Sequence, residues 1–265
     1  RSNGLTGGTI ASITLNLDSA AQGFVATPAG IYNTSDDGAT WTAIPHQLRG
    51  RQVDLISAHT IFSTRMLATS GNEVFASTNS GRTWVPIKPL NERCSVTSFT
   101  YSPRDAGFVL GATRESGVLL STDGGLSWQA TRYGLADAWL SAITLDEKDK
   151  SLLYAWTPEG KGYRSTNKGV VWDRYSPPWQ QGKSVRIVFD RFKPSEVFAL
   201  VDGRELYYSH SGGGTWFTIP VRSIGDSVTA LYWNSSSATL YAGVQDAGVY
   251  RLEVGEFLRK KFAGE

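Results

Sequence analysis

Trp41, Trp84, Trp128, Trp172 and Trp216 follow one another at separations of 43, 44, 44 and 44 residues. Rare residues placed at random do not keep such a spacing, so the chain is an array of one structural unit and its fold grows by adding equal parts. Each Trp closes the same eight-residue pattern: Thr34-Ser-Asp-Asp-Gly-Ala-Thr-Trp41, Ser77-Thr-Asn-Ser-Gly-Arg-Thr-Trp84, Ser121-Thr-Asp-Gly-Gly-Leu-Ser-Trp128, Ser165-Thr-Asn-Lys-Gly-Val-Val-Trp172 and Ser209-His-Ser-Gly-Gly-Gly-Thr-Trp216. A second register, Phe24, Leu67, Leu110, Tyr154, Phe198 and Tyr241, has separations of 43, 43, 44, 44 and 43, and the residue after each is small or Val. It counts six units, and 265 residues hold six repeats of 44 with one residue over. The sixth unit, around Gly248-Val-Tyr-Arg-Leu-Glu-Val254, keeps the strand pattern without the polar loop or its Trp.

The repeated pattern is that of a self-stabilised hairpin loop. An Asp, Asn or Ser at the third place accepts hydrogen bonds from N–H groups a few residues on, and the fifth-place Gly takes a positive φ without a Cβ penalty. The Trp then packs a large apolar face under the loop or against the next unit. The residues given this structural role are Asp36, Gly38 and Trp41; Asn79, Gly81 and Trp84; Asp123, Gly125 and Trp128; Asn167, Gly169 and Trp172; and Ser211, Gly213 and Trp216. Between loops, alternation and turn residues read as four short strands per unit: in the third, Val96 to Tyr101, Val109 to Ala112, Gly117 to Ser121 and Ser127 to Thr131. Four antiparallel strands per 44 residues, with no helical period between them, describe an all-β chain, a six-bladed β-propeller in one domain spanning residues 1–265. The segment around Thr9 and Phe257 to Phe262 are the expected seam where the first and last units meet.

The five motifs resemble Asp-boxes, or BNR repeats, which in sialidase-like propellers join the third and fourth strands of a blade. The resemblance runs from about Ile10 to Arg251. It specifies fold rather than activity, because sialidases, xyloglucan-cleaving enzymes, sortilin-type receptors and photosystem II assembly factors share it. Asn79, Asn167 and Ser211 depart from the acidic place and Val171 from the hydroxyl place, which weakens those loops. The resemblance also implies an extracytoplasmic location. Beginning at Arg1 and not Met, the chain reads as trimmed from a longer product, and a longer natural chain would accommodate a seventh blade.

Composition excludes several classes. Twenty-six Lys+Arg against 24 Asp+Glu leave a formal charge of +2, without the basic excess of a nucleic-acid binder. No run of about 18 apolar residues offers a membrane-spanning helix. Cys94 is alone, so no internal disulfide forms, and burial as an inert thiol is its expected fate. His46, His59 and His210 have no metal-ligand spacing, Gly182-Lys183-Ser184 lacks the first glycine of a phosphate loop, and no metal or cofactor is implied. A monomer is expected.

Function is expected on the loops opposite the repeated ones. These are Pro45 to Asp54, with His46, Arg49 and Arg51; Pro89 to Ser95, with Glu92 and Arg93; Arg132 to Leu140, with Asp137 and Trp139; Ser176 to Arg186, with Trp179 and Lys183; and Val221 to Ser227, with Arg222 and Asp226. Trp139 and Trp179 stand outside the repeat register and are candidates to stack on a sugar or anchor a protein. Arg49, Arg51, Arg114, Arg132 and Arg186 are candidates to grip carboxylates or phosphates, against the plainer reading of a solvated surface. A sialidase would need an early Arg-Ile-Pro segment, which is absent. A two-carboxylate glycosidase would draw on Asp137, Glu159, Asp202, Glu205, Asp226 or Asp246, among which spacing chooses no pair. The loops are short, which favours a non-catalytic recognition or assembly module for a protein or glycan partner. A secreted glycoside hydrolase is the alternative.

Overall fold

Apolar runs of four or five residues, too short for helices and bounded by turn residues, form the second strand of every unit, and the other strands pair around them. The computed structural model describes residues 3–5, 9–15, 22–36, 38–44, 48–59, 64–87, 94–102, 105–136, 139–146, 148–190, 193–221, 228–235, 237–244 and 248–262. Sheet 1 contains β1 (Ser12–Leu15), β2 (Gly23–Thr27), β3 (Gly30–Thr34) and β4 (Thr42–Ala43). Sheet 2 contains β5 (Leu55–Ala58), β6 (Met66–Ser70), β7 (Glu73–Ser77) and β8 (Val85–Ile87), and sheet 3 β9 (Val96–Ser102), β10 (Asp105–Thr113), β11 (Val118–Ser121) and β12 (Gln129–Thr131). Sheet 4 contains β13 (Ala142–Leu145), β14 (Leu153–Trp156), β15 (Gly162–Ser165) and β16 (Asp173–Tyr175). Sheet 5 contains β17 (Val185–Phe189), β18 (Val197–Val201), β19 (Glu205–Ser209) and β20 (Phe217–Ile219). Sheet 6 has three strands, β21 (Val228–Asn234), β22 (Thr239–Val244) and β23 (Gly248–Glu253), followed by helix α1 (Gly255–Phe262).

Consecutive strands in each sheet pair antiparallel, and the fold is a six-bladed β-propeller. Two compact units divide it, residues 1–132 with sheets 1 to 3 and residues 133–265 with sheets 4 to 6. The C-terminal segment expected at a seam is helical: Phe257 to Phe262 lies in α1. Its first turn carries Glu256 and its last Arg259, Lys260 and Lys261, which complement the helix dipole. Thr9 is exposed and in no strand.

Within each unit the core is a stack of layers between successive sheets. Phe24, Ile31, Ile56, Met66, Ala68 and Phe75 fill the layer between sheets 1 and 2, and Leu67, Val74, Ile87, Phe99, Tyr101 and Trp128 that between sheets 2 and 3. In the second unit Tyr154, Trp156, Val185 and Ala199 lie between sheets 4 and 5, and Phe198, Leu206, Ile219, Trp233 and Leu240 between sheets 5 and 6. A second strand is therefore covered on both faces, and β2 and β18 are buried at every residue. The large-then-small register follows. Leu67 fills the layer ahead while Ala68 lets the sheet behind approach. The same place in β10 is held by Gly111, where a Cβ would stand 3.4 Å from that of its cross-strand partner Leu119 in the same sheet.

Hydrogen bonds one repeat apart tie neighbouring sheets. Ser12 Oγ donates to the Ile56 carbonyl at 3.2 Å, Ala58 N–H to Thr14 Oγ1 at 3.3 Å and Tyr101 Oη to the Ser57 carbonyl at 3.1 Å. In the second unit the indole of Trp233 donates to the buried carboxylate of Asp190 at 3.0 Å.

The repeated loops close as their chemistry requires. In the third, Ser121 Oγ donates to Asp123 Oδ1 at 2.8 Å and accepts from Gly125 N–H at 2.8 Å, while Asp123 accepts from Ser127 N–H at 2.9 Å and Ser127 Oγ at 2.6 Å. Burial pushes the Asp123 carboxyl up, but the hydrogen bonds from Ser127, Ser121 and Leu126 together outweigh it and hold it below the usual carboxylate range. Asp36 is likewise held low, by the hydroxyl and N–H of Thr40 and the hydroxyl of Thr34. Asn79 reproduces the arrangement, accepting from Thr83 N–H at 2.9 Å and donating to its hydroxyl at 2.7 Å. Asn167 keeps the backbone bond from Val171 at 2.8 Å but has no hydroxyl at residue 171 to engage.

One further bond recurs: the indole N–H of Trp41, Trp84 and Trp128 donates to the carbonyl of its own loop glycine at 3.0 Å. Gly125 needs its place twice over, having φ of 94° and standing where a Cβ would meet Leu67 of the preceding sheet at 2.7 Å. Cys94 is buried, and burial raises its thiol pKa, so it is an inert core residue.

His59, 2% exposed, packs against Tyr101 with ring centroids 5.0 Å apart and planes tilted by 55°. Burial first, then the charge of Arg65, push its pKa down to about 4 against a hydrogen bond with the Ser102 backbone. Folded protein therefore binds fewer protons than unfolded protein as pH falls below 6.5.

Trp128→Ala should cost about 3–5 kcal/mol, read as a lowered urea midpoint with unchanged slope. Stability should fall between pH 6.5 and about 4, by up to about 3 kcal/mol from His59 alone. His59→Gln should flatten that part of a melting-temperature profile; an unaltered profile would remove His59 as its cause.

Candidate functional site

In the first unit, the ends of the sheets away from the repeated loops are built by the β6–β7 and β10–β11 turns and by the connectors entering β5 and β9. They enclose a cavity of about 530 Å³ lined by Ala11, Gln52, Asp54, Leu55, Thr69, Gly71, Ser95, Val96, Thr97 and Arg114. Its polar groups are held in place by the backbone. Asp54 accepts from Gln52 Nε2 at 2.8 Å and from Gly71 N–H at 2.7 Å, and its own N–H donates to the Thr69 carbonyl at 2.9 Å. Ser95 donates its hydroxyl to Asn72 Oδ1 at 2.9 Å and its N–H to Glu115 at 3.0 Å, and its carbonyl accepts from Arg114 N–H at 3.0 Å. Both connectors are thus pinned to the neighbouring turns, which preorganises the cavity wall.

Of the seven residues singled out from sequence, the structure brings Arg114 to this cavity. Arg51 is exposed close by in sequence, ion-paired with Glu73, its guanidinium 5.3 Å from the centre of the Phe75 ring. Arg49 and Arg132 are exposed. Arg186 lies in the second unit, where its Nε donates to the Val228 carbonyl at 3.1 Å and so links sheets 5 and 6. Trp139 is 47% exposed on the connector entering β13. Trp179 corrects the sequence reading: it is 4% exposed, donates its indole N–H to the Gly160 carbonyl at 2.9 Å and packs edge-on against Trp216 with ring centroids 5.0 Å apart. It is a core residue. A signal for this was present, since Trp179 falls 44 residues after Leu135 and 131 after Leu48, both buried in the equivalent connectors. Gln52, Asp54, Thr69 and Thr97 went unnoticed in the sequence because short polar residues in turns carry no distinguishing pattern.

A second polar cluster stands at the same end of sheet 5. Lys183 pairs with Asp202 at 2.7 Å, and Asp202 also accepts from Ser184 N–H at 2.8 Å. The hydrogen bond from Lys183 lowers the Asp202 pKa, and against the opposing effect of burial the Ser184 N–H and the charge of Lys183 add to it. Tyr207 donates its hydroxyl to Glu205 at 2.6 Å; burial first, then Glu205, push the phenol up to about 12. A Tyr nucleophile would need the opposite shift, and a carboxylic general acid must hold its proton at neutral pH, which a lowered pKa prevents. Of the remaining acids proposed for a glycosidase pair, Glu159 is exposed, and Asp137, Asp226 and Asp246 lie outside the described residues. So do His46, Glu92, Arg93 and Arg222. Among the described residues, no group of His, Cys, Asp and Glu is placed to hold a metal ion, and no helix is long and apolar enough to cross a membrane.

The family described as Sortilin-Vps10 (sortilin, neurotensin receptor 3) matches residues 29–162, just over half of the chain, and the protein belongs to that family. No curated protein sequence matches it. Among solved structures it is similar to an ancestral GH74 enzyme, with a TM-score of 0.73 and 17% identity over 95% of this chain and 37% of that one. It is also similar to YCF48 bound to D1 peptide, with a TM-score of 0.67 and 18% identity over 92% of this chain and 77% of that one. The GH74 xyloglucanase from Xanthomonas campestris follows at 0.57 and 15%, over 93% and 52%. The chain thus spans little more than a third of the ancestral enzyme and about half of the xyloglucanase. At these identities the likeness is one of fold.

Trp179→Ala should destabilise the protein by about 3–5 kcal/mol, whereas Trp139→Ala should change stability by less than about 0.5 kcal/mol. Thermal melts of the two variants side by side check both.

Proposed function

We propose that this protein is a non-catalytic recognition module that holds a peptide segment of a protein partner in the polar cavity of its first unit. The preorganised wall around Asp54, Ser95 and Arg114 carries the reading. Arg114 offers a guanidinium for a carboxylate, Asp54 and Gln52 add an acceptor and an amide, and Leu55 and Val96 supply apolar surface between them. These are the needs of an extended chain, which presents alternating backbone donors and acceptors and side chains of mixed character. Among the described residues, the carboxyl groups with a shifted pKa, Asp36, Asp123, Asp149 and Asp202, are pulled toward the charged form, the wrong direction for proton donation. The structural likeness to YCF48 bound to D1 peptide supports a peptide ligand, and the resemblance of the repeated loops to Asp-boxes is compatible with it. The likeness to GH74 enzymes keeps glycoside hydrolysis as the second reading, with a glycan in the same cavity.

The test pairs a peptide array with xyloglucan oligosaccharides and fluorogenic sialosides. Peptide binding should be weakened about tenfold or more by Arg114→Ala, the scale of one charge-assisted hydrogen bond, with the melting temperature unchanged. Turnover of a glycoside, lost on Asp54→Asn or Glu115→Gln, would replace this reading with the hydrolase.

A further inference from the structure

The third strand of each of sheets 1 to 5 carries one residue whose partner at the fourth strand can be read from the register. Ile31 accepts from Ile44 N–H at 3.0 Å, Val74 pairs with Ile87, Val118 with Thr131, Gly162 with Tyr175 and Leu206 with Ile219. On the second strand these residues face Ala26, Thr69, Ala112, Trp156 and Leu200, and the same place in sheet 6 is Val249, facing Gly243. Among the described residues nothing pairs with the outer edge of β23. Val249 is 72% exposed where Val74 and Leu206 are buried. Tyr250, beside it on the other face, is 39% exposed, where of its counterparts Phe75, Leu119 and Tyr163 are at 3%, 1% and 1% and Tyr32 and Tyr207 are partly buried.

We propose that the outer edge of β23 binds an extended segment of a partner protein as the fourth strand of sheet 6. An unpaired strand edge presents a row of N–H and C=O groups that an added strand satisfies, with side-chain pockets giving selectivity. Four of the five fourth strands of this chain, β8, β12, β16 and β20, define what fits: three residues, antiparallel to β23, the last β-branched or aromatic and lying against Val249. The aromatic anchor that precedes those strands is already replaced. Phe257 and Leu258 of α1 pack on the cluster containing Phe198, where other units set their loop glycine against the preceding sheet, so only the strand itself is wanted. Beside the edge, a cleft of about 570 Å³ lined by Arg251, Glu253, Glu256 and Arg259 receives the polar flank of the segment. Among the described residues, the segments that precede β1 and follow β23 make other contacts. Val254 leads straight into α1, its N–H bonded to the Ala238 carbonyl, and Asn3 is bonded to Ala39 and Trp41. This edge belongs to the second unit, and the proposal does not depend on the cavity of the first.

A fluorescein-labelled peptide copying residues 214–221, which contain β20, is a direct probe. Its fluorescence anisotropy should show saturable binding, weakened at least about tenfold when its Ile is replaced by Asp or when the protein carries Val249→Asp. Val249 is exposed, so that variant should melt with the wild type; Tyr250→Ala serves if it does not. Hydrogen exchange of the outward-facing amides within residues 249–251 should slow about tenfold or more with the probe bound. Equal binding of the probe and its Asp control would overturn the proposal. So would amides at 249–251 that are already protected in the free protein, because the edge would then be filled by the chain itself.

Discussion

Everything in this protein depends on sheets stacking face to face. A four-stranded sheet of strands mostly three to five residues long cannot stand alone in water, and a neighbour must cover each of its faces. The large-small register of the second strands is the sequence's answer to that need. A large residue such as Leu67 fills one layer while Ala68 beside it allows the sheet behind to approach. The repeated loop is the clamp on this arrangement: in the first three units its Trp hydrogen-bonds its own glycine, and in the third that glycine brings the loop against the preceding sheet.

The departures from the motif show which part of the clamp matters. Asn serves nearly as well as Asp, because the essential act is to accept backbone N–H bonds, and Asn79 does so with geometry close to that of Asp123. Ser211, with a shorter reach, still accepts from Thr215 N–H at 2.9 Å. In sheet 6 the loop is dispensed with, and α1 supplies apolar cover over the preceding sheet by different means. The result is a sheet with the same core contribution but a different outer boundary.

The proposed binding surface lies where the stacking imposes least. The ends of the sheets away from the clamps carry turns and connectors whose side chains are not required by the core, and there polar residues collect: Asp54, Ser95 and Arg114 in the first unit, Lys183, Asp202 and Glu205 in the second. Their hydrogen bonds fix the backbone of the turns and connectors, which suits a surface for holding a ligand.

The sequence by itself determined the array, the all-β class, the number of units and the structural role of the loop residues, because each rests on chemistry that repeats within about eight neighbouring positions and again every 44. It also placed Arg114 among the residues of interest. Tertiary structure decided what a single connector does. Trp139 and Trp179 both lie outside the Trp register, yet one is exposed and the other completes the layer against Trp216, because only packing tells which connector folds inward. The helical end of the chain and the open edge of β23 were likewise beyond local pattern. Phe257 and Leu258 are apolar in either a strand or a helix, and the surface they must cover decides between the two.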